Sequence, residues 1–238
     1  MRLQHFLALA GVASRRQCEH IMTAGRVRLN GRVARELGTK VNPEEDIIEV
    51  DGKRVEIQKK MYVLLNKPKG YLTAAADSRG RHTVGELVAD LPVRVYPVGR
   101  LDMDTDGVLL MTNDGELSYR LMHPRFGVEK VYHAEVAGNP SKEALEALRA
   151  GVDIGGLTTS PARVRLTKSI KKGALLEISV HEGRKRQIKR MCKAVGYPVV
   201  NLTRIEFGGL RAGNLKPSQY RLLSDSEVAS LKEIVSLD

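Results

Sequence analysis

Tryptophan is absent from this chain, phenylalanine occurs three times and cysteine twice in 238 residues. Cys18 and Cys192 stand too far apart for any zinc spacing, and two reduced thiols in a cytosolic protein is the expected state. No stretch reaches eighteen consecutive apolar residues, which excludes a membrane-spanning helix. The opening, MRLQHFLALAGVASRR, is too broken and then too basic for a secretion signal. Low-complexity tracts are missing, and with 42% apolar residues the chain has the material for a real core. There is no P-loop, no G-x-G-x-x-G and no Cys/His cluster, so neither a metal nor an organic cofactor is expected.

Acidic residues are also in deficit. Lys and Arg number 39 against 28 Asp and Glu, a formal charge of +11. Such a balance favours polyanions, because each cation beside a phosphate releases condensed counterions. The charges cluster. Arg15, Arg16, Arg26, Arg28, Arg32 and Arg35 crowd the first segment, while Arg184, Lys185, Arg186, Lys189, Arg190 and Lys193 fall within one short stretch. Two such clusters, on a chain with so little aromatic surface, point to a folded face that reads a nucleic acid mostly through its backbone.

The first sixty residues read as one small unit. A short helix is expected over residues 3–10, broken at Gly11. Ser14 caps a second helix, Gln17 completes a capping box, and Gly25 stops it. Arg15 and Arg16 lie in its first turn, where cations oppose the helix dipole, a local cost that suits an anionic ligand. Asn30-Gly31 and Asp51-Gly52 each mark a hairpin. After a linker at Lys59-Lys60 the pattern becomes α+β. Strands are expected at 61–66, 107–112, 130–136, 162–167 and 174–180, with helices at 83–91, from about 115 to 123, at 142–150 and at 184–195. In the last helix Ile188, Met191, Cys192 and Val195 form one apolar stripe.

The densest segment is VGRLDMDTDGVLLMTND, residues 98–114. Asp102, Asp104 and Asp106 before Gly107 imitate the start of a calcium loop. The twelfth position, however, is Asn113 where a bidentate Glu is needed, and a proline-containing strand pattern replaces the entering helix. Asp104 and Asp106 read as turn residues. Asp102 follows Arg100 by two residues, so in extended chain both side chains share a face and the guanidinium keeps the acid ionised. Spacing alone leaves Asp102 open between a catalytic acid and another turn residue.

Several ordered motifs then carry a resemblance. Residues 10–33, AGVASRRQCEHIMTAGRVRLNGRV, resemble the S4-type alpha-L RNA-binding module. LNKPKG at 65–70, GRLD at 99–102 with Thr105, GVLLMTNDG at 107–115, RLMHP at 120–124, EKVY at 129–132 and EGRKRQIKRM at 182–191 resemble the RsuA/RluB family of pseudouridine synthases, nearer to the RluB branch. The resemblance implies an α+β protein: an alpha-L domain over residues 1–58, then a synthase domain over 61–238 with a mixed, mainly antiparallel sheet flanked by helices. It implies isomerisation of a uridine in ribosomal RNA, on the large subunit for the RluB branch, with no cofactor and no membrane. The RNA is taken free or in a precursor particle, and a monomer is the default.

The same resemblance implies roles. Asp102 matches the catalytic aspartate and Tyr132 the tyrosine that stacks on the target base. Lys189 matches the basic position that pairs with the catalytic carboxylate, although many relatives carry Arg there and Lys offers only a point charge. Arg100 braces the gap left by an extracted base, and Leu202 packs beneath the uracil ring. Arg15, Arg16, Arg26, Arg28, Arg184 and Arg186 are the candidate RNA contacts. Without the motifs, Tyr132 and Leu202 read as core residues and Lys189 as a solvated helix charge. A non-catalytic RNA-binding assembly factor, or a small-subunit target, is the competing expectation.

Overall fold

The capping box read at Ser14 and Gln17 is formed: Gln17 N donates to Ser14 Oγ at 3.3 Å and Ser14 N to the Gln17 side chain at 3.2 Å. It opens α2 (Arg15–Thr23), which packs on α1 (Leu3–Leu9). Asn30 and Gly31 have φ of 50° and 78°, and Asp51 and Gly52 have 52° and 76°. These are the paired positive values that tight hairpins demand. The resulting strands β1 (Val27–Leu29), β2 (Arg32–Val33), β3 (Ile48–Val50) and β4 (Lys53–Arg54) form an antiparallel sheet in the order β2-β1-β3-β4. Leu3, Phe6, Leu7, Cys18, Met22, Val27 and Ile48 close its core.

The computed structural model describes residues Met1–Leu237, and these divide into two compact units. The first comprises Met1–Lys60 with Leu91–Arg94; the second begins at Met61 and takes the other described residues. Among the described residues no helix is long and apolar enough to cross a membrane.

The second unit is built on a mixed sheet of nine strands. Its main path runs β13 (Tyr220–Leu222), β5 (Tyr62–Lys67), β7 (Asp106–Thr112), β11 (Val199–Phe207), β8 (Lys130–Ala137), β10 (Gly173–Val180) and β9 (Arg163–Ile170). Two short strands, β6 (Tyr96–Pro97) and β12 (Leu210–Arg211), add to β7 and β11. Every pairing is antiparallel except β7 with β11. The expected mixed, mainly antiparallel sheet is therefore present. β5 and β7 carry apolar runs rather than alternation because both of their faces are covered. Helices α3 (Gly115–Met122) and α6 (Asp225–Ile234) close a cluster over Leu64, Val108 and Leu110. Helices α4 (Lys142–Ala150) and α5 (Gln187–Ala194) close a second over Ala134, Leu176 and Leu202. Each fully buried Leu or Val there contributes roughly 1.5–3 kcal/mol relative to exposure.

Three readings need correction. Residues 83–91 hold only a single 3-10 turn, Glu86–Val88. Glu86 folds back on Thr83 N at 2.8 Å, and Gly85 presses on the Ala75 carbonyl, where a Cβ would sit 2.2 Å away. The basic helix begins at Gln187 rather than 184, since Arg186 adopts φ 53° and the Gln187 side chain turns back to Arg184 N and Glu182. The strand β11, at the centre of the sheet, has no counterpart in the sequence reading. Its polar residues Asn201, Thr203, Arg204 and Glu206 disguise a strand whose alternate positions Leu202 and Arg204 are buried.

Candidate active site

The chemistry-bearing loop lies between β6 and β7, and the LNKPKG segment at the end of β5 holds it. Lys67 is fully buried. Its ammonium donates to the backbone carbonyls of Thr105 at 2.8 Å, Pro68 at 3.0 Å and Asp102 at 3.1 Å. Gly70 N donates to Met103 O at 2.7 Å, and Thr73 Oγ1 brackets Leu101 by donating to its carbonyl at 2.7 Å and accepting from its amide at 3.1 Å. Asp102 and Thr105 are closed into a turn by Thr105 N donating to Asp102 O at 3.0 Å. The loop is thus tied through its main chain, and among the described residues the Asp102 carboxylate has no hydrogen-bond or ion-pair partner. Burial pushes the Lys67 pKa down to about 8, although the neighbouring Asp106, Asp104 and Asp102 pull the other way.

Gly107 explains how β7 meets β11. Its φ is +105°, and a Cβ there would lie 2.1 Å from the Arg204 carbonyl oxygen. Only glycine permits that approach. Beside it Asp106 accepts a hydrogen bond from Thr203 Oγ1 at 2.6 Å. Asp104 accepts one from Lys189 Nζ at 2.5 Å, with Arg186 at 3.9 Å, and this holds its carboxyl below the usual range. Neither aspartate is merely a turn residue.

A cleft of about 690 Å³ opens over this loop. Asp102, Tyr132, Arg100 and Leu202 line it together, with Arg184 and Arg186 on its border and Lys130 and Arg204 in its wall. Tyr132 on β8 and Arg204 on β11 are register partners across the sheet. Leu202 precedes Arg204 by two residues on the same face of β11 and is 5% exposed. Arg184 is bound by Glu182 at 2.8 Å. A smaller hollow of about 400 Å³ on the outer sheet surface is lined by matched charges, with Arg163 paired to Glu129, Arg165 to Glu177 and Arg211 to Glu206, so it compensates itself.

Two expected partnerships differ. Lys189 pairs with Asp104, not with Asp102, and does not line the cleft. Arg100 makes no ion pair with Asp102 among the described residues: residues 100–102 lie in a loop outside any strand, where the expected two-residue alternation of a strand does not hold, and Asp102 opens the turn closed by Thr105 N. In the first unit Arg15 and Arg16 are exposed on α2 as expected. Arg26 instead bridges Asp51 at 2.5 Å, and Arg28 reaches the Gly31 carbonyl at 3.2 Å. Sequence reasoning assigns no role to Lys67, Thr73, Lys130 or Arg204. The available signal is a lysine closing the strand YVLLNK directly after its apolar run.

With this geometry in view, comparison with known proteins decides the assignment. The family model described as RNA pseudouridylate synthase matches residues 61–194, and that of the S4 domain matches residues 1–48. The chain belongs to the RNA pseudouridine synthases. This synthase is 47% identical to an uncharacterised RNA pseudouridine synthase of Aquifex aeolicus, over 100% of this chain and 96% of that protein. It is 43% identical to the ribosomal large subunit pseudouridine synthase B of Bacillus subtilis, over 98% of this chain and 96% of that protein. A crystal structure of a pseudouridylate synthase superposes with a TM-score of 0.68 at 29% identity, covering 97% and 99% of the two chains.

Proposed function

We propose that the synthase isomerises one uridine of large-subunit ribosomal RNA, with Asp102 as the catalytic carboxylate. The reading rests on one observation above all: the uncommitted Asp102 carboxylate shares a cleft with Tyr132 and Leu202. The likeness to the Bacillus subtilis enzyme supports the choice of ribosomal subunit. The bond between uracil and C1′ is hidden in a stacked helix, so the nucleotide must be flipped out at a cost of a few kcal/mol. Stacking on Tyr132 returns about 1–3 kcal/mol, while Leu202 supports the ring from the sheet side. Arg100 braces the vacated stack. Arg15, Arg16, Arg26, Arg28, Arg184 and Arg186 bind phosphates, with Arg26 exchanging Asp51 for RNA.

Asp102 then serves either as nucleophile at C1′ or as base at C2′. Both routes need the same ionised carboxylate and neither needs a cofactor. Lys189, anchored on Asp104, steadies the loop and adds positive charge near the site. The enzyme works as a cytosolic monomer on free RNA or a precursor particle.

The test is pseudouridine mapping of ribosomal RNA from cells with and without the gene, followed by complementation. One large-subunit pseudouridine disappears on deletion and returns with the wild type, and Asp102→Asn fails to restore it while binding RNA with nearly unchanged affinity. Restoration by Asp102→Asn removes Asp102 from the reaction, and loss at a small-subunit site moves the target.

A further inference from the structure

The wall of the cleft contains two cations that the reaction as proposed does not use. Arg204 is 2% exposed, its Nε donates to the Val108 carbonyl at 2.7 Å, and its Nη2 is buried with no hydrogen-bond partner among the described residues. Lys130 donates to the carbonyls of Val128 at 2.8 Å and His181 at 3.4 Å. Both stand against the Phe207 ring, with the guanidinium carbon 5.0 Å and the ammonium 5.9 Å from its centroid. No carboxylate forms a salt bridge with either among the described residues. A buried guanidinium with an idle donor is costly unless something binds there, and an unsatisfied buried group in a functional cleft calls for a ligand. The ring faces recover only part of that cost. The two cations also repel, and Arg204 adds to the burial that pushes the Lys130 pKa down to about 8.

An anion between them resolves all three costs at once. The RNA strand supplies one. Arg204 stands two strand residues beyond Leu202, about 7 Å along β11. That is comparable with the span from a pyrimidine ring to the phosphate of its own nucleotide. We infer that Arg204 and Lys130 form a phosphate subsite for the flipped nucleotide, with the uracil over Leu202 and a flanking phosphodiester drawn to Nη2 and Nζ. The inference rests on the reading of the cleft as the uridine site. Gly107 has a part in it, because the close approach of β7 to the Arg204 backbone brings the Val108 carbonyl within reach of Nε.

The test uses the full chain and three probes: uridine, uridine 5′-monophosphate and inorganic phosphate. The Arg204 Nε–H, protected by its bond to Val108, is observed by nitrogen-15 NMR during titration. Uridine 5′-monophosphate and inorganic phosphate shift this signal saturably and uridine does not. Lys130→Met weakens binding of the monophosphate about tenfold, as loss of one charge-assisted hydrogen bond requires. Arg204→Lys does the same, and the lysine variant keeps the test valid if the arginine variant misfolds. An equal response to uridine and its monophosphate assigns the donor to the base and overturns the phosphate subsite, as does a signal unmoved by any probe. Pseudouridine formation by the same preparation is scored separately. Product without a phosphate response sinks only the subsite, and a phosphate response without product sinks only the enzymatic reading.

Discussion

Lys67, fully buried at the end of β5, donates to the backbone carbonyl of Asp102 at 3.1 Å in the loop between β6 and β7. The residue proposed to do the chemistry is thus placed by a cation that binds its main chain and leaves its carboxylate open. Lys67→Met keeps the stem and strands three carbonyls, for a stability loss of about 2–4 kcal/mol by denaturant titration. A misplacement of the loop on the ångström scale costs on the order of a hundredfold in turnover. RNA affinity stays close to that of the wild type. Full turnover in this variant would show that the loop holds its shape without the lysine.

The same lysine sets a pH dependence. Its folded pKa of about 8 lies below its ordinary 10.5. Between those values the unfolded chain holds more protons than the folded one, so this group makes stability rise as pH increases through the window. Turnover moves the opposite way, since deprotonation removes one of three donors holding the loop. A kcat profile that declines above about pH 8 while thermal stability does not fall with it is the expected result. A profile flat well into the alkaline range contradicts it.

Glycine substitutions separate close packing from mere turn propensity. Gly107→Ala forces a Cβ to 2.1 Å from the Arg204 carbonyl at φ +105° and costs more than about 3 kcal/mol, with loss of activity. Gly115→Ala, at the first position of α3 with nothing near its Cβ, is neutral or stabilising by up to about 1 kcal/mol. Thermal melts of the two variants decide the matter, and comparable losses would refute the close-approach argument.

The pair Lys189–Asp104 is exposed on the acid side. A double-mutant cycle with Lys189→Met and Asp104→Asn gives a coupling of about 0.5–1 kcal/mol that shrinks in high salt. Zero coupling in stability, with Lys189→Met alone abolishing turnover, would instead mean that Lys189 leaves Asp104 for Asp102 when RNA binds.

For the first unit, Arg15→Ala with Arg16→Ala weakens RNA binding. The slope of log affinity against log salt falls by about 0.7 to 0.9 for each phosphate no longer neutralised. Filter binding at several salt concentrations measures it. An unchanged slope shows that α2 does not touch phosphate.

Local chemistry was readable without coordinates wherever neighbours in sequence decide it. The Ser14 capping box, the two hairpins set by Asn30-Gly31 and Asp51-Gly52, and the buried runs of β5 and β7 depend on residues a few positions apart. The motif resemblance also singled out Asp102, Tyr132 and Leu202, which the fold brings to one cleft. Tertiary structure alone decided the partners. Lys189, 85 residues along the chain, went to Asp104. β11 sits at the centre of the sheet through long-range backbone pairing with β7 and β8, which its polar sequence does not announce. Lys67 and Arg204 acquired their importance from carbonyls 38 and 96 residues away. A side chain's charge is written in the sequence; whether it ends beside a carboxylate, a carbonyl or an open cleft is settled by long-range packing, which no local pattern encodes.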